Sequence, residues 1–177
     1  WNGTLLDDID LCFACINRLL ISHNLKPLDT LSEYREVFMF PIEEYYKKVG
    51  FDFDQTPFSI LAHEYMDDYQ EKSYFCHLHD DVLDVVKNAR QLGFSQTVLS
   101  ASKMDYLLKQ MKTLQVDSLF DSIYGISDIF AKSKVDLAYA FKKTCNPEDE
   151  IYFVGDSVHD YEVAKSIGAN CNFIIMN

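Results

Sequence analysis

The stretch Ile151-Tyr152-Phe153-Val154-Gly155-Asp156-Ser157-Val158-His159-Asp160 decides how this sequence folds. Its first four residues are β-branched or aromatic and lie between Glu150 and Gly155, the pattern of a short, fully buried strand. The run breaks at Gly155-Asp156, and Asp160 follows four residues on. Beyond it, Tyr161–Ile167 carries helical spacing and stops at Gly168, a residue suited to a helix end. A carboxylate at the carboxyl end of a buried parallel strand stands where open α/β sheets bind ligands. Asp160, opening the next helix, is placed to face the same crevice. Two acids held close together repel unless a cation lies between or beside them. The plainer alternative makes Asp156 a turn residue and Asp160 a favourable charge at a helix N-terminus.

Outward from this segment the sequence alternates. Asp80–Leu92 reads as an amphipathic helix closed by Gly93, with its aspartates as N-terminal caps, and Ser95–Ala101 as a strand. A helix through Tyr106, Leu107, Leu108, Met111 and Leu114 follows, then a strand at Ser122–Ile126 and a helix at Lys134–Lys143. A last strand is expected at Asn172–Met176. Strands alternating with helices of this length predict right-handed βαβ units and a parallel sheet, a Rossmann-like α/β core. Residues Leu31–Ser73 differ. SEYREVFMF, PIEEYYKKVG and FSILAHEYMDDYQEK read as three consecutive helices dense in aromatics, with Pro41 at a helix start and Gly50 at a helix end. They predict a small helical insert with an aromatic core, some of whose residues could roof a pocket with Arg35 as its cation; the alternative leaves Arg35 on a solvated face.

Composition narrows the function. Hydrophobic content of 48% and aromatic content of 14% in 177 residues predict a globular chain with one substantial core. A formal net charge of -12 argues against a nucleic-acid binder, which would carry a basic stripe. It leaves room for a small phosphorylated substrate, since one cation and one lysine reverse the sign of a pocket locally. No apolar run approaches a membrane span, and no signal peptide is visible. The five cysteines read as reduced thiols of a cytoplasmic protein, and the Cys12-x-x-Cys15 pair lacks a second pair for a metal. His77, His79, Asp80 and Asp81 could form a separate metal site, but the two acids serve equally as helix caps. Oligomeric state is not legible.

In a parallel sheet the carboxyl ends of all strands share one edge. That edge would carry Asn2, Gly3 and Thr4, then Ser100-Ala101-Ser102, then Lys132 and Lys134, then Asp156 and Asp160. Small residues after Ser100 expose backbone N–H groups to an anion. A lysine at a helix start opposes the dipole, which favours a functional role for Lys134. Hydroxyl, ammonium and paired carboxylates in one crevice suit phosphoryl transfer.

With these residues in this order the sequence resembles the haloacid dehalogenase-like (HAD) hydrolase superfamily, in particular its phosphoglycolate phosphatase-like members with a helical cap. Trp1–Asp8 (WNGTLLDD) is similar to the family's first motif, D-x-D-G-T-L, without its first aspartate; TVLSA resembles the second, Lys134 in AKSK the third, and VGDSVHDYEVA the fourth. The resemblance implies a core formed by residues 1–12 and 76–177 and a helical cap of residues 13–75. It implies Mg²⁺ held by Asp156 and the backbone carbonyl of Asn2, with Asp160 supporting or joining that shell. By the same resemblance Ser100, Lys134, Gly3, Thr4 and Ala101 receive the phosphoryl group, and Lys132 is the reserve candidate for the third motif.

Two departures qualify it. The family's nucleophilic aspartate would stand immediately before Trp1, with the first core strand, so a longer protein is expected. Asn2 stands where the family has its general acid, and an amide has no proton to give; such help is commonly worth about 10²–10⁴-fold. His159 is an alternative donor. The expectation is a soluble Mg²⁺-dependent phosphatase for a small phosphorylated metabolite, active in full-length form. The alternatives are a catalytically silent binding or regulatory module and, less favoured, a 2-haloacid dehalogenase.

Overall fold

The computed structural model describes residues 1–130 and 134–173, without the Phe173 side chain, so Lys132 and the end of the last expected strand lie outside the described residues. A tight loop at Trp1–Thr4 leads into the two-residue strand β1 (Leu6–Asp7) and helix α1 (Ile9–Ser22). Helices α2 (Leu31–Val37), α3 (Ile42–Lys48) and α4 (Phe58–Ser73) follow, the helical insert expected from the sequence. Then come β2 (His77–Leu78), α5 (Val82–Gln91), β3 (Thr97–Lys103), α6 (Met104–Thr113) and β4 (Ser122–Ile126). After them stand α7 (Val135–Lys142), β5 (Tyr152–Gly155), α8 (Val158–Ser166) and β6 (Asn170–Phe173).

The α/β expectation holds. β3 pairs parallel to β4 and β5 parallel to β6, each pair joined through a helix, while β1 and β2 form a small antiparallel ladder. α1 to α4 share an aromatic cluster that includes Tyr34, Tyr45, Tyr46, Phe51 and Leu61, with edge-on contacts such as Tyr34–Tyr45 at 6.1 Å between ring centres. A second cluster gathers Trp1, Leu6, Val98, Leu107 and Met111 under β3, and a third gathers Ala138, Val163 and Ile167 where α7 and α8 cover β5.

Two expectations are corrected. β5 is not buried on both faces: Phe153 packs toward α7 and α8, whereas Tyr152 and Val154 are 52% and 49% exposed. The strand period of two sends them to the opposite face, and among the described residues β6 is the only strand paired with β5. Asp80 and Asp81 do not cap α5 with their side chains. Asp81 takes the N-cap position in a left-handed conformation (φ 63°) and makes no capping hydrogen bond. The Ser157 side chain does cap, accepting from the Asp160 amide while Asp160 accepts from the Ser157 amide, a closed capping box that starts α8 three residues earlier than apolar spacing suggested.

Candidate active site

Three strand edges meet at the Trp1–Thr4 loop. The amides of Thr4, Leu5 and Leu6 all turn back to the Trp1 carbonyl, at 3.3, 2.8 and 3.0 Å, which coils the loop on itself. The Trp1 indole N–H donates to Gln110 Oε1 at 2.9 Å, and Gln110 Nε2 donates to Ser73 Oγ at 2.8 Å, pinning the loop to α6 and the end of α4. Gly3 has φ +72°, and a Cβ there would lie 2.4 Å from Asp156 Oδ2, so only glycine lets the Asp156 carboxylate settle against the loop. Thr4 Oγ1 donates to Asp156 Oδ1 at 2.6 Å. Asp156 itself is exposed, at the mouth.

The second edge is β3, whose register with β4 shifts between Leu99 and Lys103, the irregularity that often re-aims side chains beside a site. Ser100, 3% exposed, donates to Ser102 Oγ at 3.0 Å and accepts from the Ser102 amide at 3.1 Å. Ser102 Oγ donates in turn to Asn2 Oδ1 at 2.7 Å. The third edge holds Lys134, the N-cap of α7, whose ammonium forms a buried ion pair with Asp160 and lies 5.7 Å from the centre of the Phe153 ring. Burial alone would push the Asp160 carboxyl up, but Lys134 and the hydrogen bonds from Ser157 outweigh it and hold the pKa below its ordinary value.

The edges converge on one point. Gly155 stands against the Asp160 side chain, and the next residue, Asp156, lies against Gly3 of the loop. Thr4 with Asp156, Asn2 with Ser102 and through it Ser100, and Lys134 with Asp160 therefore border the same loop. Ala101 follows Ser100 in β3. Arg35 is exposed on α2, and no hydrogen bond or ion pair joins it to the cluster among the described residues. Lys132 lies outside the described residues.

Two members, Asp8 and Tyr69, escaped the sequence reading. Asp8, 3% exposed, accepts from Asn2 Nδ2 at 2.7 Å, from the Tyr69 hydroxyl at 2.6 Å and from the Gly3 amide at 3.1 Å. Asn2 Nδ2 also donates to the Tyr69 oxygen at 2.7 Å. Ser102 was legible in principle, since i and i+2 share a strand face; Tyr69 was not, because nothing local ties it to residue 2. His159 stacks on Phe40 at 4.7 Å between ring centres, and its Nε2 is buried without a hydrogen-bond partner among the described residues. Burial, then Lys134, lowers its pKa.

From just beyond β2, His79 reaches the same loop, its Nε2 3.2 Å from the Gly3 carbonyl oxygen and its Nδ1 3.7 Å from Asp7. Among the described residues no three His, Cys, Asp or Glu side chains gather to hold a metal. Burial pushes the Cys12 thiol up and the Cys15 thiol to about 12, which suits packing rather than redox chemistry.

A family model described as haloacid dehalogenase-like hydrolase matches residues 2–174 of this sequence. The chain belongs to the haloacid dehalogenase-like hydrolase family. Solved structures of this family superpose on nearly all of it. A haloacid dehalogenase-like hydrolase from Streptococcus pneumoniae shares 20% identity, with 96% of this chain and 79% of that one covered and a TM-score of 0.79. A "predicted phosphatase" from Clostridium acetobutylicum shares 19%, with 96% and 79% covered and a TM-score of 0.80. The magnesium-bound hydrolase YfnB of Bacillus subtilis shares 14%, with 98% and 85% covered and a TM-score of 0.66. At such identities the likeness is one of fold. No curated protein matches the sequence.

The donors suit magnesium. Asp156 and the Asn2 carbonyl offer only hard oxygens, and the exposed position of Asp156 lets a bound ion keep the waters that Mg²⁺ releases reluctantly. Asp160 has one oxygen on Lys134 and the other on Ser157 Oγ and amide.

Proposed function

We propose that this HAD-family hydrolase is a Mg²⁺-dependent phosphatase of the cytoplasm that acts on a small phosphorylated metabolite. The observation that carries the reading is geometric: Thr4 bonds Asp156, Ser100 reaches Asn2 through Ser102, and the Lys134–Asp160 pair stands against Gly155 beside Asp156. The Ser100 hydroxyl and Lys134 ammonium offset charge on the phosphoryl oxygens, with Thr4 and the backbone of Gly3 and Ala101 completing the cradle. Asp156 and the Asn2 carbonyl hold the ion, which when bound neutralises phosphoryl charge and fixes the substrate's orientation. The nucleophile is the aspartate that opens the family's first motif, on the residue before Trp1. It attacks phosphorus, the leaving oxygen departs, and water then releases phosphate from the resulting acyl phosphate. Residues 13–75 act as the cap that closes over substrate, with Arg35 a contact from α2 on closure.

The full-length protein, assayed against a broad phosphomonoester panel with Mg²⁺ and then with a chelator, tests this reading. Turnover that disappears with the chelator is expected; no turnover on any ester would overturn it, and halide release from 2-haloacids would replace it with a dehalogenase. One observation favours a second reading, a silent binding module. Both protons of the Asn2 amide are engaged, and an amide has none to transfer. A residue other than aspartate before Trp1 would select that reading.

A further inference from the structure

We propose that Asp8 is a positioning residue for the phosphoryl site: it sets the direction of the Asn2 amide and, through it, the hydroxyls of Ser102 and Ser100. The inference rests on the proposed function only in taking Ser100 as a phosphoryl contact. An asparagine side chain has two orientations that differ by exchange of oxygen and nitrogen, and its partners decide between them. Here Asp8 Oδ2 and the Tyr69 oxygen lie 2.7 Å from Asn2 Nδ2, and both require a donor in that place. Oδ1 is thereby turned to Ser102, whose hydroxyl donates to it at 2.7 Å, and Ser102 in turn accepts from Ser100 at 3.0 Å. Reversing the amide would set two acceptors against each other at Asp8, and would leave Ser102 facing an N–H group. The direction of every hydroxyl proton on this edge of β3 follows from the charge on Asp8.

Asp8 has no slack with which to adapt. Its other oxygen accepts from the Gly3 amide at 3.1 Å, and Tyr69, reaching in from α4, donates to Oδ2 at 2.6 Å. In Asp8→Asn the amide must keep an oxygen for Gly3 N–H, so its nitrogen meets the Asn2 nitrogen, donor against donor. In Asn2→Asp two carboxylates abut. Exchange of the two residues, Asn2→Asp with Asp8→Asn, satisfies all of them again. The amide now at position 8 would donate to the carboxylate now at position 2, Tyr69 would donate to that carboxylate as well, and Ser102 would still find an acceptor there.

The test is calorimetric titration of the full-length protein with inorganic phosphate in the presence of Mg²⁺. Asp8→Asn and Asn2→Asp each weaken phosphate binding, by about 10- to 100-fold, the cost of misplacing donors by an ångström or less. The exchanged pair recovers most of that loss. Tyr69→Phe, which keeps the ring and removes only the hydroxyl, weakens binding severalfold and reports the same effect if Asp8→Asn folds poorly. Ile16→Val, buried among the α1–α4 helices, lowers Tm without changing phosphate affinity, which separates positioning from general loss of stability. Phosphate binding by Asp8→Asn equal to wild type, or an exchanged pair no better than the worse single variant, would overturn the inference. A wild type that binds phosphate but hydrolyses no ester would sink the phosphatase and leave Asp8 in this role; a wild type that binds no phosphate would remove both.

Discussion

Replacing Gly155 with alanine tests how tightly the end of β5 is built. A Cβ at Gly155 would lie 2.4 Å from both Cβ and Cγ of Asp160 and 2.7 Å from its Oδ2, closer than carbon atoms approach one another in folded proteins. Asp160 cannot simply swing aside, because its carboxylate pairs with buried Lys134 and closes the Ser157 capping box. The new methyl must push the start of α8 away from β5. Overpacking of this kind costs about 1–3 kcal/mol, and loss of the cap adds about 1 kcal/mol. The total of about 2–4 kcal/mol corresponds, for a chain of this length, to a Tm lower by about 4–16 °C. Gly168→Ala is the matched comparison. Gly168 has φ +71° but nothing within 4 Å of a new Cβ, so it carries only the left-handed backbone penalty of about 1–2 kcal/mol. Thermal unfolding of the full-length protein, followed by circular dichroism, reads both variants. If Gly155→Ala melts no earlier than Gly168→Ala, the steric account of the strand end is wrong.

Other consequences follow from the same geometry. Lys134→Met strands a buried Asp160 carboxylate and is expected to cost about 3–5 kcal/mol in denaturant unfolding; a loss under about 1 kcal/mol would show that the pair is not buried in solution. Asp160 has a depressed pKa, so its contribution to stability is complete above the ordinary value of 3.8 and is lost only as pH falls through the lower folded value. His159 also has a lowered pKa, so the neutral ring stabilises the fold above its ordinary 6.5 and that stability drains away as pH falls below it. Stability should therefore decline from pH 6.5 downward, by at most about 1.4 kcal/mol per pH unit from this group, and His159→Phe should flatten the decline. Ser157→Ala, which removes the cap, should lower stability by about 0.5–2 kcal/mol, measured as a shift in denaturant midpoint.

Long-period signals were legible in the sequence and short or distant ones were not. The apolar spacing of α5 and α6 and the runs at β3 and β5 marked those elements within a few residues. β1 and β2, two residues each, are too short to show any period, and their pairing of Leu6 with Leu78 is visible only in three dimensions. The start of α8 was readable from Ser157-x-x-Asp160 as a capping box, but apolar spacing, which begins later, pointed to Tyr161 instead. Thr4, Asp156, Ser100, Lys134 and Asp160 were singled out because each sits at a strand or helix end, where chemistry concentrates in α/β proteins. Asp8 looked like an ordinary acid at a helix start. Its role depends on Tyr69, 61 residues further along, and no local pattern announces that contact. Arg35 is exposed on α2 and makes no hydrogen bond or ion pair to the cluster among the described residues.

The most direct test is a crystal structure of the full-length protein grown with MgCl₂ and orthotungstate, a heavy-atom phosphate mimic whose anomalous signal locates it unambiguously. The tungsten is expected within hydrogen-bonding reach of Ser100 Oγ and Lys134 Nζ, with Mg²⁺ on Asp156 and the Asn2 carbonyl. Tungstate bound elsewhere, with this edge of the sheet empty of both ions, would contradict the phosphoryl site.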